Sequence, residues 1–406
     1  MRVIGLDVSR TVAEIAYLEQ GKIRPGGRVT LDHASLARFA SELHADDHVV
    51  LEATGNTAAI VVALQPHVAR VVIANPLKVR LIAEAHVKTD KIDAAILAQL
   101  YASGFLPEVW IADERTQSLR RQVARRVQIV RQRTRLKNEI HSVLATHLIP
   151  RCTATDLFGK RGRRWLTEQP LPMDERVGIE QRLRELDRLG EDLIVIDRAL
   201  GTAVLEDAQV RHLLTITGVN VTVAIGILAA IGEISRFPSP QKLVSYFGLN
   251  PRVHQTGAQP AQHGHISKIG RSHARAMLVE AAWAAAKAPG PLRWFFLRIR
   301  ARRGTQIAVV ATARKLATIV WHVLTDQEDF TWARPSLVAM KERRLQLQAG
   351  ACAQRGQKGP AAAYSVKALR DRERKVVENA ERAYSRLVGH WQPQRPKAKA
   401  AAPPLR

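Results

Sequence analysis

Cysteine is almost absent: Cys152 and Cys352 are the only two in 406 residues. They lie far apart with no Cys-x-x-Cys or Cys/His ligand spacing, which argues against a zinc site and a disulfide framework. Long apolar runs are missing as well. The longest, Val219 to Ile231, falls short of the roughly 20 residues that a bilayer span needs. The N-terminus, MRVIGLDVSRTVAEIAYLEQ, is broken by charged residues and carries no signal-peptide apolar core. No internal repeat is found. These absences together lead to the expectation of a soluble, cytoplasmic protein without a membrane partner.

Acidic residues are few relative to basic ones, 37 against 62, and the net charge is +25. An excess of this size excludes a small-molecule enzyme without a polyanionic partner and points to nucleic acid or an anionic surface. Its distribution is uneven. Residues 1–110 hold 11 Lys and Arg against 12 Asp and Glu, whereas the remaining 296 hold 51 against 25. A nearly neutral front joined to a basic body suggests an acidic reaction centre attached to a polyanion-binding frame.

The first hundred residues alternate strand and helix signals. Strands are expected at Arg2–Val8, Val12–Leu18, Gly27–Leu31, His48–Ala53 and Ala69–Ala74, with a turn at Gly21-Lys22. Helices are expected at Leu36–Leu43, Thr57–Leu64 and Lys91–Ala102. Three strands followed by alternating helix and strand is the order an α/β RNase H-like fold requires, although other α/β arrangements share it. From Asp113 to about Leu148 an apolar stripe runs opposite a face rich in arginine, including Arg121 and Arg125. After a loop over 149–175, a second amphipathic helix carries Ile179, Leu183, Leu186, Leu193, Ile196 and Leu200, weakened by Gly190. Such a pair predicts an antiparallel coiled-coil stalk or dimerisation arm. The expected organisation is 1–110, 111–205 (helical arm), 206–334 (a mainly α domain) and 335–406. The last is a basic extension with 16 basic and 5 acidic residues whose final dozen look disordered.

Four acids stand out. Asp7 interrupts an apolar strand in IGLDVS; Glu52 ends the fourth strand in LEATG; Asp90 and Asp93 share a face at a helix start in KTDKIDAAIL. Taken singly, each has an ordinary reading as a turn or cap residue, and Asp90 suits an N-cap. Taken together, on these elements and in this order, they suit a pair of divalent cations at a phosphodiester. Hard oxygen ligands favour Mg²⁺ or Mn²⁺.

The strings IGLDVS, LEATGN, ANP and KTDKIDAAILA, with their spacing, resemble the insertion sequence 110 transposase family over roughly residues 1–330. That resemblance implies a RuvC-like N-terminal domain whose DEDD tetrad is Asp7, Glu52, Asp90 and Asp93. The segment from ITGVN to GRSHARAMLVEAAW looks like the family's C-terminal transposase domain. There the family places a serine before a glycine, which attacks DNA to form a covalent phosphoserine. The matching position is Thr256, followed by Gly257, and Ser267 is the alternative hydroxyl. Threonine keeps the hydroxyl, but its methyl crowds in-line approach. Ser267 beside Lys268 also has a plainer reading, as a helix cap or phosphate contact. Lys268, Arg271 and Arg275 are candidate phosphate contacts, set against the simpler reading of a solvated basic face. In ITGVN, where the family has a second glycine, Asn220 is expected to tolerate the left-handed turn. The resemblance further implies donor and target DNA, a guide (bridge) RNA, and homodimers that pair into a tetramer. Acids and nucleophile then come from different protomers. The competing expectations are a RuvC-like nuclease or junction resolvase without a covalent intermediate, and a nucleic-acid-binding protein whose catalysis has decayed.

Overall fold

In the computed structural model, which describes residues 2–82, 89–257, 260–352 and 360–390, the chain divides into Met1–Asp113 and Glu114–Arg406. The first unit grows from a hairpin. Strands β1 (Val3–Val8) and β2 (Val12–Glu19) pair antiparallel, and Ser9 closes their turn with its hydroxyl on the Val12 carbonyl at 2.7 Å. A turn at Gln20-Gly21, both with positive φ, leads into β3 (Lys22–Thr30). This strand starts earlier than the apolar pattern predicts, because its first half is exposed and lacks the alternation that marks a buried strand.

Helix α1 (His33–Ser41), capped by Asp32, crosses to β4 (His48–Glu52). Helix α2 (Thr57–Leu64) leads to β5 (Arg70–Ala74), and α3 (Pro76–Ile82) follows. Helix α4 (Asp90–Ala102) then leads to the short β6 (Glu108–Val109). The sheet order is β3-β2-β1-β4-β5-β6, with β1, β4 and β5 parallel and the outer strands antiparallel. This mixed sheet fits the RNase H-like expectation. One face buries Ile4, Leu6, Val49, Leu51 and Ile73 with the apolar sides of α1 and α2; the other buries Val3, Val50 and Val72 with Leu97 and Ala98 of α4.

The second unit is helical apart from one hairpin. Helices α5 (Glu114–Thr146) and α7 (Met173–Val204) run antiparallel, with α6 (Lys160–Thr167) in the loop between them. Their direction is fixed by a ladder of contacts: Arg126 with Asp197, Arg133 with the Leu186 carbonyl, and Arg182 with Glu139. Gly190 does not break α7. A Cβ there would meet Arg133 Nη1 at 2.8 Å, so the glycine makes room for that guanidinium.

Beyond lie α8 (Ala208–Thr215), α9 (Val221–Ile231), α10 (Pro240–Tyr246), the hairpin β7 (Pro251–His254) and β8 (Gln262–Ile266), and α11 (Ser272–Lys287). They are followed by α12 (Pro291–Arg303), α13 (Thr305–Asp326), α14 (Pro335–Gln348) and α15 (Lys367–His390). The base of the α5–α7 hairpin (Leu119, Val123, Leu200, Val204) is buried in one core with α8 to α13. Helix α13 is long and apolar enough to cross a membrane, although Arg314 and Lys315 interrupt its sequence. Its Ala313, Leu316, Ala317 and Val320 are buried in that core.

The α8–α9 turn also differs from expectation. Gly218 takes the left-handed conformation at φ 90°, while Asn220 is the N-cap of α9 and accepts from the Val223 amide at 2.9 Å. A Cβ at Gly218 would strike the Ala281 carbonyl at 2.3 Å, so close approach to α11 demands glycine there. The segment after residue 335 is not merely a charged tail. In α14, Lys341 donates to the Leu214 and Ile216 carbonyls, and in α15 the buried Glu381 accepts from Arg293 and the Gly290 amide. The final stretch expected to be disordered lies outside the described residues.

Candidate active site

Strand register sets the geometry of the acids. Leu6 pairs with Leu51 across parallel β1 and β4, so the next residues, Asp7 and Glu52, stand side by side on one face. Neighbouring strands lie about 4.8 Å apart, which brings the two carboxylates to a common edge. Asp7 also pairs with Glu14 on β2, and Glu14 pairs with Arg28 on β3. A transverse row therefore runs Arg28, Glu14, Asp7, Glu52 across four strands.

Helix α4 brings the remaining acids to the same edge. It packs on the face that carries Val3, Gly5 and Asp7, and a Cβ on Gly5 would lie 1.9 Å from the Ala94 carbonyl. At its far end the Tyr101 hydroxyl meets His48 Nδ1 at 2.7 Å, and His48 is level with Val3. The helix thus runs antiparallel to β1, and its first turn, with Asp90 and Asp93, lies at the Asp7–Glu52 end. Asp93, Leu97 and Tyr101 follow at helical spacing along one stripe, as do Asp90, Ala94 and Ala98.

The helix cap and the strand turn nearest these acids are made by other residues. Thr89, not Asp90, caps α4 by accepting from the Ile92 amide. Ser9 closes the β1–β2 turn. After Glu52, Thr57 accepts from the Thr54 amide at 2.7 Å, and Asn56 reaches the Ser9 carbonyl at 3.4 Å, tying the two loops of this edge together. Asp7, Glu52 and Asp93 are half-buried and Asp90 is exposed, so the edge is open to a large substrate. Four hard oxygen donors on one edge suit Mg²⁺ or Mn²⁺.

Among the described residues, His44, Asp46 and Asp47 also come together. That group lies at the opposite end of β4, and Asp47 is occupied by Arg2 at 2.6 and 2.9 Å and by the His44 amide. Burial alone would lift the Asp47 carboxyl; the Arg2 bonds and charge outweigh it and hold it below its usual range. It is a structural ion pair.

Glu14 and Arg28 were not singled out from the sequence. Glu14 lies on the phase of β2 that carries Ala16 and Leu18, so it interrupts a buried phase as Asp7 does. That signal was legible. Its neighbourhood with Asp7 required the register.

In the second unit the hydroxyl candidates occupy different settings. Thr256 is exposed in the loop after β7, ahead of Gly257 at φ 58°. Ser267 is half-buried, and its amide donates to the Asn250 carbonyl at 2.8 Å. Lys268 is held left-handed at φ 57°, which costs a non-glycine residue roughly 1–2 kcal/mol. Its amide donates to Gly248, whose own Cβ would strike the Ile269 carbonyl at 2.6 Å.

The predicted phosphate contacts divide. Arg275 is half-buried and spends Nη1 on the Phe247 and Lys268 carbonyls, a bracing role. Arg271 is exposed, and its Nε donates to the Tyr246 hydroxyl at 2.8 Å. Arg121 and Arg125, a hundred and more positions earlier, line the same cavity as Arg271, about 760 Å³, with Arg120, Arg131 and the first turn of α11. Lys268 is not among its lining residues. His273, at the cavity wall, is held below its ordinary value by burial and by the charges of Arg131 and Arg126.

Two family models match. A DEDD transposase model, described as "Transposase", covers residues 4–149, and one described as "Transposase IS116/IS110/IS902 family" covers residues 210–295. The DEDD match points to divalent-metal use. The chain is 27% identical over 354 residues to the "Transposase for insertion sequence element IS1111A" of Coxiella burnetii, covering 81% of this chain and 91% of the relative. It is 26% identical to the "Insertion element IS110 uncharacterized 43.6 kDa protein" of Streptomyces coelicolor, covering 80% and 94%. It is 25% identical to the "Pilin gene-inverting protein" of Moraxella bovis, covering 70% and 81%. With both halves matched and relatives spanning most of its length, the chain belongs to the insertion sequence 110 family and is a DNA transposase.

Proposed function

We propose that the chain catalyses site-specific DNA recombination, the excision and insertion of an insertion sequence, through a protein hydroxyl that attacks a DNA phosphate. The observation that carries this reading is the shared edge at which β1, β4 and the first turn of α4 present Asp7, Glu52, Asp90 and Asp93. These four would hold Mg²⁺ or Mn²⁺, which when bound offsets phosphate charge and favours an oxygen nucleophile.

The nucleophile in this reading is Thr256. Its loop is exposed, whereas Ser267 is partly enclosed and its backbone is tied to Asn250. The Thr256 oxygen bonds to phosphorus and gives up its proton, while the bond to a sugar oxygen breaks and that oxygen takes a proton. The covalent phosphoester conserves the bond energy for rejoining. Arg121, Arg125 and Arg271, brought together around one cavity, support a backbone-phosphate contact for DNA or for a guide RNA, since phosphate recognition is shared by both. The name of the pilin gene-inverting relative describes rearrangement of a DNA segment, in keeping with recombination. Assembly as a dimer that pairs into a tetramer, with the α5–α7 hairpin as the coiled-coil arm, completes the proposal.

The test is covalent capture on a denaturing gel with labelled donor and target DNA, matched guide RNA and Mg²⁺. A protein–DNA adduct is expected from wild type and from Ser267→Ala, and none from Thr256→Ala or Asp7→Ala. Free cleaved DNA without an adduct would replace this reading with a hydrolytic nuclease. Binding without cleavage would replace it with a decayed enzyme.

A further inference from the structure

Glu14 has no place in the set of four acids, yet it stands next to Asp7 in the transverse row and is only 3% exposed. A carboxylate so enclosed needs a partner, since an uncompensated buried charge is strongly destabilising. Arg28 supplies one by donating from Nε to Glu14 Oε1. The pair is lopsided. The Glu14 side chain is 4% exposed and that of Arg28 is 67% exposed. Asp47, also buried in this unit, draws its arginine inward: Arg2 is 21% exposed and gives it both Nε and Nη2. The Arg2 form leaves fewer guanidinium donors for a ligand. The Arg28 form anchors one nitrogen and presents the remaining fork outward.

The backbone aims that fork. Between Ile15 and Ala16 the β2–β3 register shifts, inserting Gly26, and Gly27 takes φ 80° immediately before Arg28. A Cβ on Gly26 would strike Tyr17 and Ile15 at 2.5 and 2.6 Å. Bulges of this kind re-aim side chains at sheet edges. Here the bulge leaves Arg28 in register with Glu14 and on the face of α4, where the Glu14 hydrogen bond and charge, and to a lesser degree the charge of Asp90, hold the guanidinium charged.

We infer that Arg28 is a phosphate-binding residue of the acid edge: Glu14 anchors Nε, and the terminal nitrogens take oxygens of a phosphodiester in the strand engaged by Asp7, Glu52, Asp90 and Asp93. An edge with four carboxylates repels a polyanion, and a planar guanidinium beside it supplies both compensating charge and a matching fork. This inference rests on the reading of those four acids as the metal and DNA site.

The test uses the full-length protein, Mn²⁺ followed by electron paramagnetic resonance, and a labelled mixed-sequence DNA duplex titrated with and without Mn²⁺ at several salt concentrations. Arg28→Ala is expected to bind Mn²⁺ as wild type does but to hold the duplex about tenfold more weakly in Mn²⁺, the loss of one charge-assisted contact. Its salt slope falls by about 1. Because Arg28→Ala orphans a buried carboxylate, the double variant E14Q/R28Q, which leaves no buried charge, is measured beside it and should show the same loss. If both variants bind the duplex as wild type does while Asp7→Ala loses Mn²⁺ and duplex affinity, Arg28 is not a phosphate contact and the acid-site reading stands. If the Arg28 variants lose Mn²⁺ itself, the pair is structural and the inference fails. If Asp7→Ala matches wild type in both assays, the acid-site reading fails and takes this inference with it.

Discussion

At the scale of single residues, the transposase spends charge where neighbours can compensate for it. Asp47 has Arg2, Glu14 has Arg28 and Glu381 has Arg293. Lys341 is compensated differently, because its largely enclosed ammonium donates to the Leu214 and Ile216 carbonyls. Burial pulls its pKa down from 10.5 to about 8. Between those values the unfolded chain holds a proton that the folded chain has lost, so this residue makes stability rise as pH climbs from about 8 towards 10.5. Thermal midpoints at either end of that window should therefore rise more in wild type than in Lys341→Met. An equal rise in both would show that Lys341 is not the group responsible. Each of the four acids, taken singly, had an ordinary reading, and only their combination and order along the chain set them apart. The cap at Thr89, which takes the N-cap position from Asp90, and the turn closed by Ser9 depend on backbone angles that the pattern does not specify.

At the scale of elements, the decisive contact is α4 on β1. Gly5 lets the helix backbone lie directly on the strand, and this contact sets how far Asp90 and Asp93 stand from Asp7. Gly5→Ala should cost roughly 1–3 kcal/mol by overpacking and should also weaken Mn²⁺ binding, because the helix must lift to admit the methyl. Thermal unfolding and a Mn²⁺ titration measure the two effects. Loss of stability with unchanged Mn²⁺ affinity would detach the acids from the helix position. The elements themselves were mostly visible beforehand, since β1, β2 and β4 are compact apolar runs buried on both faces and the buried residues of α5 and α7 recur at a helical period. The start of β3 and all of β6 were not, because exposed or two-residue strands carry no alternation. The left-handed position at Gly218 rather than Asn220 was equally hidden, since it follows from the approach of α11.

At the scale of the whole molecule, the charge split between residues 1–110 and the remainder matches the division at Asp113, an acid-bearing unit and a basic one. Arg121 and Arg125 hold surface pairs with Glu114 and Asp192. Exposed pairs of this kind contribute about 0–1 kcal/mol, so a phosphate displaces them readily. Arg121→Ala and Arg125→Ala should each take about 0.9 from the slope of log affinity for duplex DNA against log salt, with thermal stability little changed. Slopes equal to wild type would remove the cavity from the binding surface. Arg275→Ala should act differently, lowering stability first, because its guanidinium braces the turn at Lys268.

Composition and local pattern determined the polyanion partner, the α/β character of the front and the long basic helices behind it, and they marked the four acids as candidates. These follow from net charge, periodicity and residue type, which a linear chain carries without reference to its fold. Tertiary structure decided which residues meet. It placed Asp7 beside Glu52 through strand register and turned α4 antiparallel to β1. It also set Glu14 and Arg28 in the same row and joined Arg121 and Arg125 to Arg271 around one cavity. Register and helix packing depend on contacts between distant segments, and a single sequence contains no distance between them.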